Sequence, residues 1–239
     1  MTEHDNTLVS TTLNGRWPMV LPKARADRVE WHTDAGWERA RLDAMSDAIE
    51  PGDLLVYLGA ECGDMPALAA SWGADMALVE PNWKAWPMIR RIFDANDLPS
   101  PVATFDGFAG DTKRGRDEDR WTLGGWPAAV DNGEDSPYDF RVIYEMPDIP
   151  VLTLDTMRRR VGRRFDFISL DIEGAELRAL SGAESVLRED RPVVFCSTHP
   201  PFLPQYGDTQ RSLHSYMEAQ GYSCTTLDVA HEVHELWTP

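Results

Sequence analysis

Three carboxylates, Asp171, Glu173 and Glu176, fall within six positions in SLDIEGAE (169–176), where the apolar run FDFISL (165–170) ends. Acids at the end of a buried strand can do chemistry, bind a metal or start a helix. A carboxylate can take the proton that an attacking hydroxyl must lose, and Asp171 is the first candidate for a base or an acceptor-orienting group. His199 is the second. It follows the apolar run PVVFCST (192–198), and its ordinary pKa of about 6.5 suits a base near neutral pH. The leading reading has no metal here, although Asp171 with Glu173 could hold Mg²⁺, an ion that needs few protein ligands. The competing structural readings are helix capping by Asp171, favourable helix-terminus charge for Glu173 and Glu176, and a packed loop position for His199 beside Pro200 and Pro201.

A second constellation lies upstream. The run LLVYL (54–58) leads into the turn GAECGD (59–64), and DMALVE (75–80) ends on Glu80. Gly59 and Gly63 let a backbone bend sharply and approach a ligand closely. Glu80, 21 positions after Gly59, is spaced to accept the ribose hydroxyls of an adenosine-type ligand. Glu61 and Asp64 would repel a pyrophosphate but favour a sulfonium and an ammonium. The electrostatics therefore prefer S-adenosylmethionine (SAM) to a dinucleotide. Tyr57, Ala60 and Pro81 flank this candidate cofactor site. Asp106 and Phe108, just past the run PVATF (101–105), stand where an adenine could rest.

These residues must be positioned by strands alternating with helices. Strands are expected at 54–58, 75–80, 101–105, 141–146, 151–154, 165–170, 192–198, 222–227 and 231–237. Helices are expected from 59–64 through about 72, and at 83–96, 155–163, 173–188 and 208–220, with Asp155 as a cap. This alternation predicts an α/β fold with a parallel sheet covered on both faces. Residues 1 to about 23 read as a loose arm broken by Pro18 and Pro22, and Arg25 to Ile49 as helix-rich, with Trp31, Trp37, Leu42, Met45 and Ile49 on one face. The division is an N-terminal arm and helical segment (1–50) and a cofactor-binding domain (51–239) with an insertion near 107–141. Trp121, Trp126, Phe202 and Tyr206 could line an acceptor pocket or merely anchor loops.

Composition excludes several classes. Forty acidic residues against 23 basic give a formal charge of −17, which disfavours nucleic acid and anionic membranes as partners. The basic cluster Arg158, Arg159, Arg160, Arg163 and Arg164 reads as a solvated helix end. Three widely spaced Cys form no disulfide or zinc pattern and suggest a reducing, cytoplasmic setting. The start of the chain lacks signal-peptide character, and no apolar run approaches the roughly 18 residues of a membrane span.

Taken together, LLVYLGAECGD (54–64), ALVEPN (77–82), TLDTM (153–157), FDFISLDIEGAELRALSGAESVL (165–187) and THP (198–200) resemble the FkbM-like family of SAM-dependent methyltransferases. The resemblance runs from about residue 50 to 227. It implies a Rossmann-like class I methyltransferase sheet, mostly parallel, ending in an antiparallel strand pair, with helices on both faces. It also implies methyl transfer, commonly to a hydroxyl of a small molecule or glycan. Two positions depart from the family: Tyr57 stands where an acid usually helps hold the methionyl end, and Ser197 stands where Glu is frequent. Tyr57 motivates the alternative of a non-catalytic SAM- or nucleotide-binding module.

Overall fold

The computed structural model describes residues 6–117, 120–130, 149–230 and 232–239. The first two strands, β1 (Leu8–Leu13) and β2 (Trp17–Pro22), form an antiparallel hairpin. This corrects the expectation of a loose arm. Asn14 and Gly15, both with left-handed φ, are the central residues of a turn closed by the Arg16 amide on the Leu13 carbonyl at 2.9 Å, within a three-residue connection between Leu13 and Trp17. Trp17, Met19 and Leu21 alternate inward and are buried, as strand periodicity requires. Pro18 and Pro22 are tolerated because this two-stranded ribbon has open edges.

The segment expected to be helix-rich is shorter-ranged than its pattern implies. It contains α1 (Lys23–Ala26), a 3₁₀ turn at Val29–His32 and α2 (Arg39–Ala48). Trp31, Leu42, Met45 and Ile49 are nevertheless buried in one cluster with Leu55, Tyr57 and Phe167. Residues from 6 to 50 thus cover one face of the main sheet.

That sheet contains β3 (Leu54–Leu58), β4 (Asp75–Val79), β5 (Ala103–Phe105), β7 (Trp121–Leu123), β9 (Phe167–Asp171), β10 (Val193–Thr198), β11 (Ser223–Val229) and β12 (Val233–Thr238). Their order is β11-β12-β10-β9-β3-β4-β5-β7. The pairs from β10 to β5 are parallel, whereas β7, β12 and β11 each join antiparallel. A short ribbon, β6 (Phe108–Ala109) with β8 (Val151–Leu152), lies apart. This is the expected class I methyltransferase sheet with its terminal antiparallel pair. β3, β4 and β9 are apolar on both faces because helices cover both. On the N-terminal side lie α3 (Asp64–Ser71) and α4 (Trp86–Ala95). Opposite lie α5 (Leu154–Val161), α6 (Glu176–Ser181) and α7 (Gln210–Ala219).

Three local expectations change. Thr153, not Asp155, caps α5; Asp155 instead accepts hydrogen bonds from the Ser185 and Val186 amides. The helix expected over 173–188 starts at Glu176 and breaks after Ser181. The arginine cluster is tied into ion pairs, Arg158 with Asp190, Arg160 with Asp117 and Arg163 with Asp75. Trp121 lies under Arg160 and Trp126 packs edge-on against Phe93, so both anchor the insertion. The strand expected at 141–146 lies outside the described residues, as do residues 118–119 and 131–141 of the insertion. Among the described residues, no helix is long and apolar enough to cross a membrane.

Leu21 is fully buried, so Leu21→Ala should cost about 2–5 kcal/mol in urea denaturation. A loose arm would lose less than about 0.5 kcal/mol.

Candidate active site

The chain lays down β3, β4 and β5 in one direction, then returns to add β9 and β10 on the other side of β3. The switch falls between β3 and β9, and open α/β sheets bind ligands beyond the strand ends at such a point. Gly59 follows β3 there, and Asp171 ends β9. Their backbones touch: a Cβ on Gly59, whose φ is +84°, would sit 2.1 Å from the Asp171 carbonyl oxygen. Here the glycine is required by this strand-to-strand approach, where the sequence suggested approach to a ligand. Gly63 lies against Ile89 of α4.

Glu80 comes back to the same turn. Its carboxylate accepts the Glu61 amide at 2.8 Å and the Asn82 amide at 2.8 Å. Burial pushes its pKa up to about 8, against the opposing effect of those two amides. A carboxylate has about four acceptor sites, so Glu80 keeps capacity for a ribose hydroxyl pair and fits the adenosine role. Ala60 is buried beside it and Pro81 is half-buried. The acids of the turn differ in availability. Asp64 is buried and takes two hydrogen bonds from Arg25, at 2.7 and 2.9 Å. Glu61 keeps an exposed side chain. Asp64 is therefore already neutralised, and the acidic character of the turn rests on Glu61. Asp106 is buried and paired with Arg120 at 2.6 Å, while Phe108 is exposed on β6.

Tyr57 is buried on the α2 side of β3. Its hydroxyl accepts from Arg41 Nη2 at 3.2 Å, and the same nitrogen donates to Ser169 Oγ at 2.7 Å. Arg41 also binds Glu38 and lies 3.8 Å from Asp171 Oδ2. Where the resemblance leads us to expect an acid, this chain thus carries a Tyr–Arg–Glu network. Ser197, the other departure, hydrogen-bonds His234 Nδ1 at 3.0 Å.

The SLDIEGAE motif makes a turn, not an immediate helix. Glu173 and Gly174 both have left-handed φ, and α6 begins after Ala175 without a side-chain cap. Asp171 is therefore not the cap. The turn needs Gly174: a Cβ there would sit 2.7 Å from the Phe202 backbone. This close approach brings the 199–207 loop over the motif, with the Phe202 ring stacked at 6.0 Å on His199.

His199 is buried among carboxylates. Its Nδ1 is 2.9 Å from Glu176 Oε1, and its Nε2 is 3.1 Å from Glu232 Oε2 and 3.5 Å from Asp171 Oδ1. Burial alone would lower its pKa, but hydrogen bonds to Glu176 and Glu232 outweigh this and raise it to about 11. Without another cation, His199 is an imidazolium, so the ordinary pKa that recommended it as a base does not apply. Burial drives Asp171 well above the usual carboxylate range, with Glu38 and Glu232 adding to the effect and Arg41 and His199 opposing it.

Glu38, Arg41, Arg25 and Glu232 were not singled out from the sequence. The i,i+3 spacing of Glu38 and Arg41 beside an apolar stripe was the available signal for that pair. Glu232 sits in a polar turn that carries none. Because Arg41 leaves Glu38 buried without its partner when removed, Arg41→Ala should cost about 3–5 kcal/mol in urea denaturation. Combining Arg41→Met with Glu38→Gln should recover more than half of that loss.

The sequence model of the Methyltransferase FkbM domain matches residues 104–224. No curated protein sequence matches. Among solved structures, this chain is similar to an FkbM methyltransferase from Methylobacillus flagellatus KT, with 18% identity and a TM-score of 0.52, covering 80% of this chain and 44% of that one. It is also similar to a T. thermophilus 16S rRNA methyltransferase solved with AdoMet and guanosine, with 16% identity and a TM-score of 0.52, covering 97% of this chain and 50% of that one. The chain spans half or less of the length of these two structures, whose likeness establishes the fold. With the family match over the region that holds Asp171 and His199, the chain belongs to the FkbM methyltransferase domain family, and its cofactor is S-adenosylmethionine.

Proposed function

We propose that this protein is a SAM-dependent O-methyltransferase acting on a hydroxyl of a small molecule or glycan. The observation that carries this reading is the convergence of the Gly59–Gly63 turn, Glu80 and Asp171 at the sheet's switch point. When bound, SAM supplies an electrophilic methyl on a sulfonium. Glu80 accepts the ribose hydroxyls, the Gly59–Gly63 turn with Tyr57, Ala60 and Pro81 forms the cofactor floor, and Glu61 provides negative charge near the methionyl end. Asp106 and Phe108 border the adenine side.

Asp171 receives the acceptor's proton. Its partly exposed side chain leaves it reachable, and an ionised carboxylate there can take that proton. The acceptor oxygen gains the methyl as the sulfonium becomes a neutral thioether. His199 acts on Asp171 by holding its position and charge. Phe202 and Tyr206 are both 39% exposed, enough to offer aromatic faces to a sugar or an apolar ring. The net charge of −17 and the internally paired arginines weigh against a nucleic acid acceptor.

Calorimetry with S-adenosylhomocysteine should give micromolar binding, weakened at least tenfold in Glu80→Ala, a loss of about 1.4 kcal/mol or more. Absence of binding by folded protein up to about 1 mM would sink this reading. In a screen of hydroxylated acceptors with labelled SAM, Asp171→Asn should lower transfer by a factor of about 10² or more, with S-adenosylhomocysteine affinity retained. Binding without transfer to any acceptor class would instead favour the non-catalytic module.

A further inference from the structure

An imidazole nitrogen carries one proton and donates essentially one hydrogen bond, yet three carboxylates converge on Nε2 of His199. Glu232 Oε2 is 3.1 Å away, Asp171 Oδ1 3.5 Å and Glu173 Oε2 3.7 Å. The second and third distances are at or beyond the limit for hydrogen bonds. Donor atoms about 2.1 Å from a common ion stand roughly 3.0–3.4 Å apart; Glu232 already stands at that spacing from Nε2, and Asp171 and Glu173 lie just outside it. The ligand atoms of Asp171, His199 and Glu232 all lie within 4.8 Å of one another.

The other ring nitrogen adds an independent indication. Nδ1 is held by Glu176, a wholly buried carboxylate on α6. This is the arrangement that orients metal-ligating imidazoles and leaves Nε2 as the ligand atom. The second oxygen of Glu176 is buried without a hydrogen-bond partner among the described residues, which leaves it free to favour positive charge nearby. Around this point stand Asp171, Glu173, Glu176 and Glu232. Among the described residues, His199 itself, Arg41, which is already bound to Glu38, and His234, 3.8 Å from Glu232, face them. Two of these carboxylates, Glu176 and Glu232, are buried, where added positive charge is favourable.

We propose that Asp171, His199 and Glu232 form a divalent metal site, with Glu173 in reach as a further ligand and Glu176 as outer support. One imidazole nitrogen with carboxylate oxygens suits a first-row ion such as Mn²⁺ or Zn²⁺ better than Ca²⁺. The ion takes the place of the proton on Nε2. Asp171 ligates through Oδ1 and keeps Oδ2 for the acceptor's proton. The role of the ion, though not its binding, rests on the methyltransferase reading: beside the acceptor hydroxyl it lowers that group's pKa.

The test is a Mn²⁺ titration of the full chain followed by loss of the free-ion electron paramagnetic resonance signal. One site per chain with a Kd below about 100 µM is expected, weakened at least tenfold in Glu232→Gln and in His199→Asn. Glu176→Gln keeps shape and volume and should weaken it about tenfold through His199; it serves if the other variants fail to fold in melting curves. Lack of binding of both Mn²⁺ and Zn²⁺ at about 1 mM, or equal binding by the folded variants, overturns the proposal. Calorimetry with S-adenosylhomocysteine on the same samples separates the two ideas. Nucleoside binding without metal binding removes the metal site alone, and metal binding without nucleoside binding removes the methyltransferase reading alone.

Discussion

The buried guanidinium of Arg41 joins the two parts of this molecule. It leaves α2, crosses the α2-side face of the sheet and meets Tyr57 of β3, Ser169 of β9 and the edge of Asp171, while Glu38 balances its charge. A lone guanidinium in a protein interior is strongly unfavourable. It is tolerated here because its partners come from three elements at once. The N-terminal segment, the central strands and the candidate active-site acid therefore hold their relative positions through one planar group. This network also explains how β3 accommodates tyrosine at position 57, where the resemblance leads one to expect an acid.

Much of the architecture was legible because it follows from local rules. Apolar runs of five or six residues separated by helical segments gave β3, β4, β9 and β10, and the family resemblance gave the antiparallel end of the sheet. Legibility ended where two segments distant in sequence meet. Pro18 and Pro22 look like breakers until Asn14-Gly15 is read as a hairpin turn and the alternation of Trp17, Met19 and Leu21 is weighed with it. Glu173 to Arg188 has helical periodicity, but Gly174 and Phe202 come together there and the helix starts late.

The site shows the same division. Glu80, Gly59 and Asp171 lie at one edge of the sheet because each ends or follows a parallel strand there. The charge states did not follow from residue type. His199 was chosen for an ordinary imidazole, but Glu176 and Glu232 surround it and invert that expectation. Asp64 looked like an open acid until Arg25, 39 residues earlier, closed on it. Each of these is a long-range electrostatic contact, which no local pattern encodes.

The contact between Gly174 and Phe202 has a consequence for how such a protein diversifies. The backbone of the 199–207 loop rests directly on the turn after β9, with no room for even one methyl group between them. Lengthening or shifting the loop would therefore disturb the carboxylate turn beneath it. The outer parts of Phe202 and Tyr206, each 39% exposed, form the tips of this loop, although the Phe202 Cβ belongs to the contact and its ring stacks on His199. Selection for a new acceptor would act through residue identity at these tips, leaving the loop's length and path fixed.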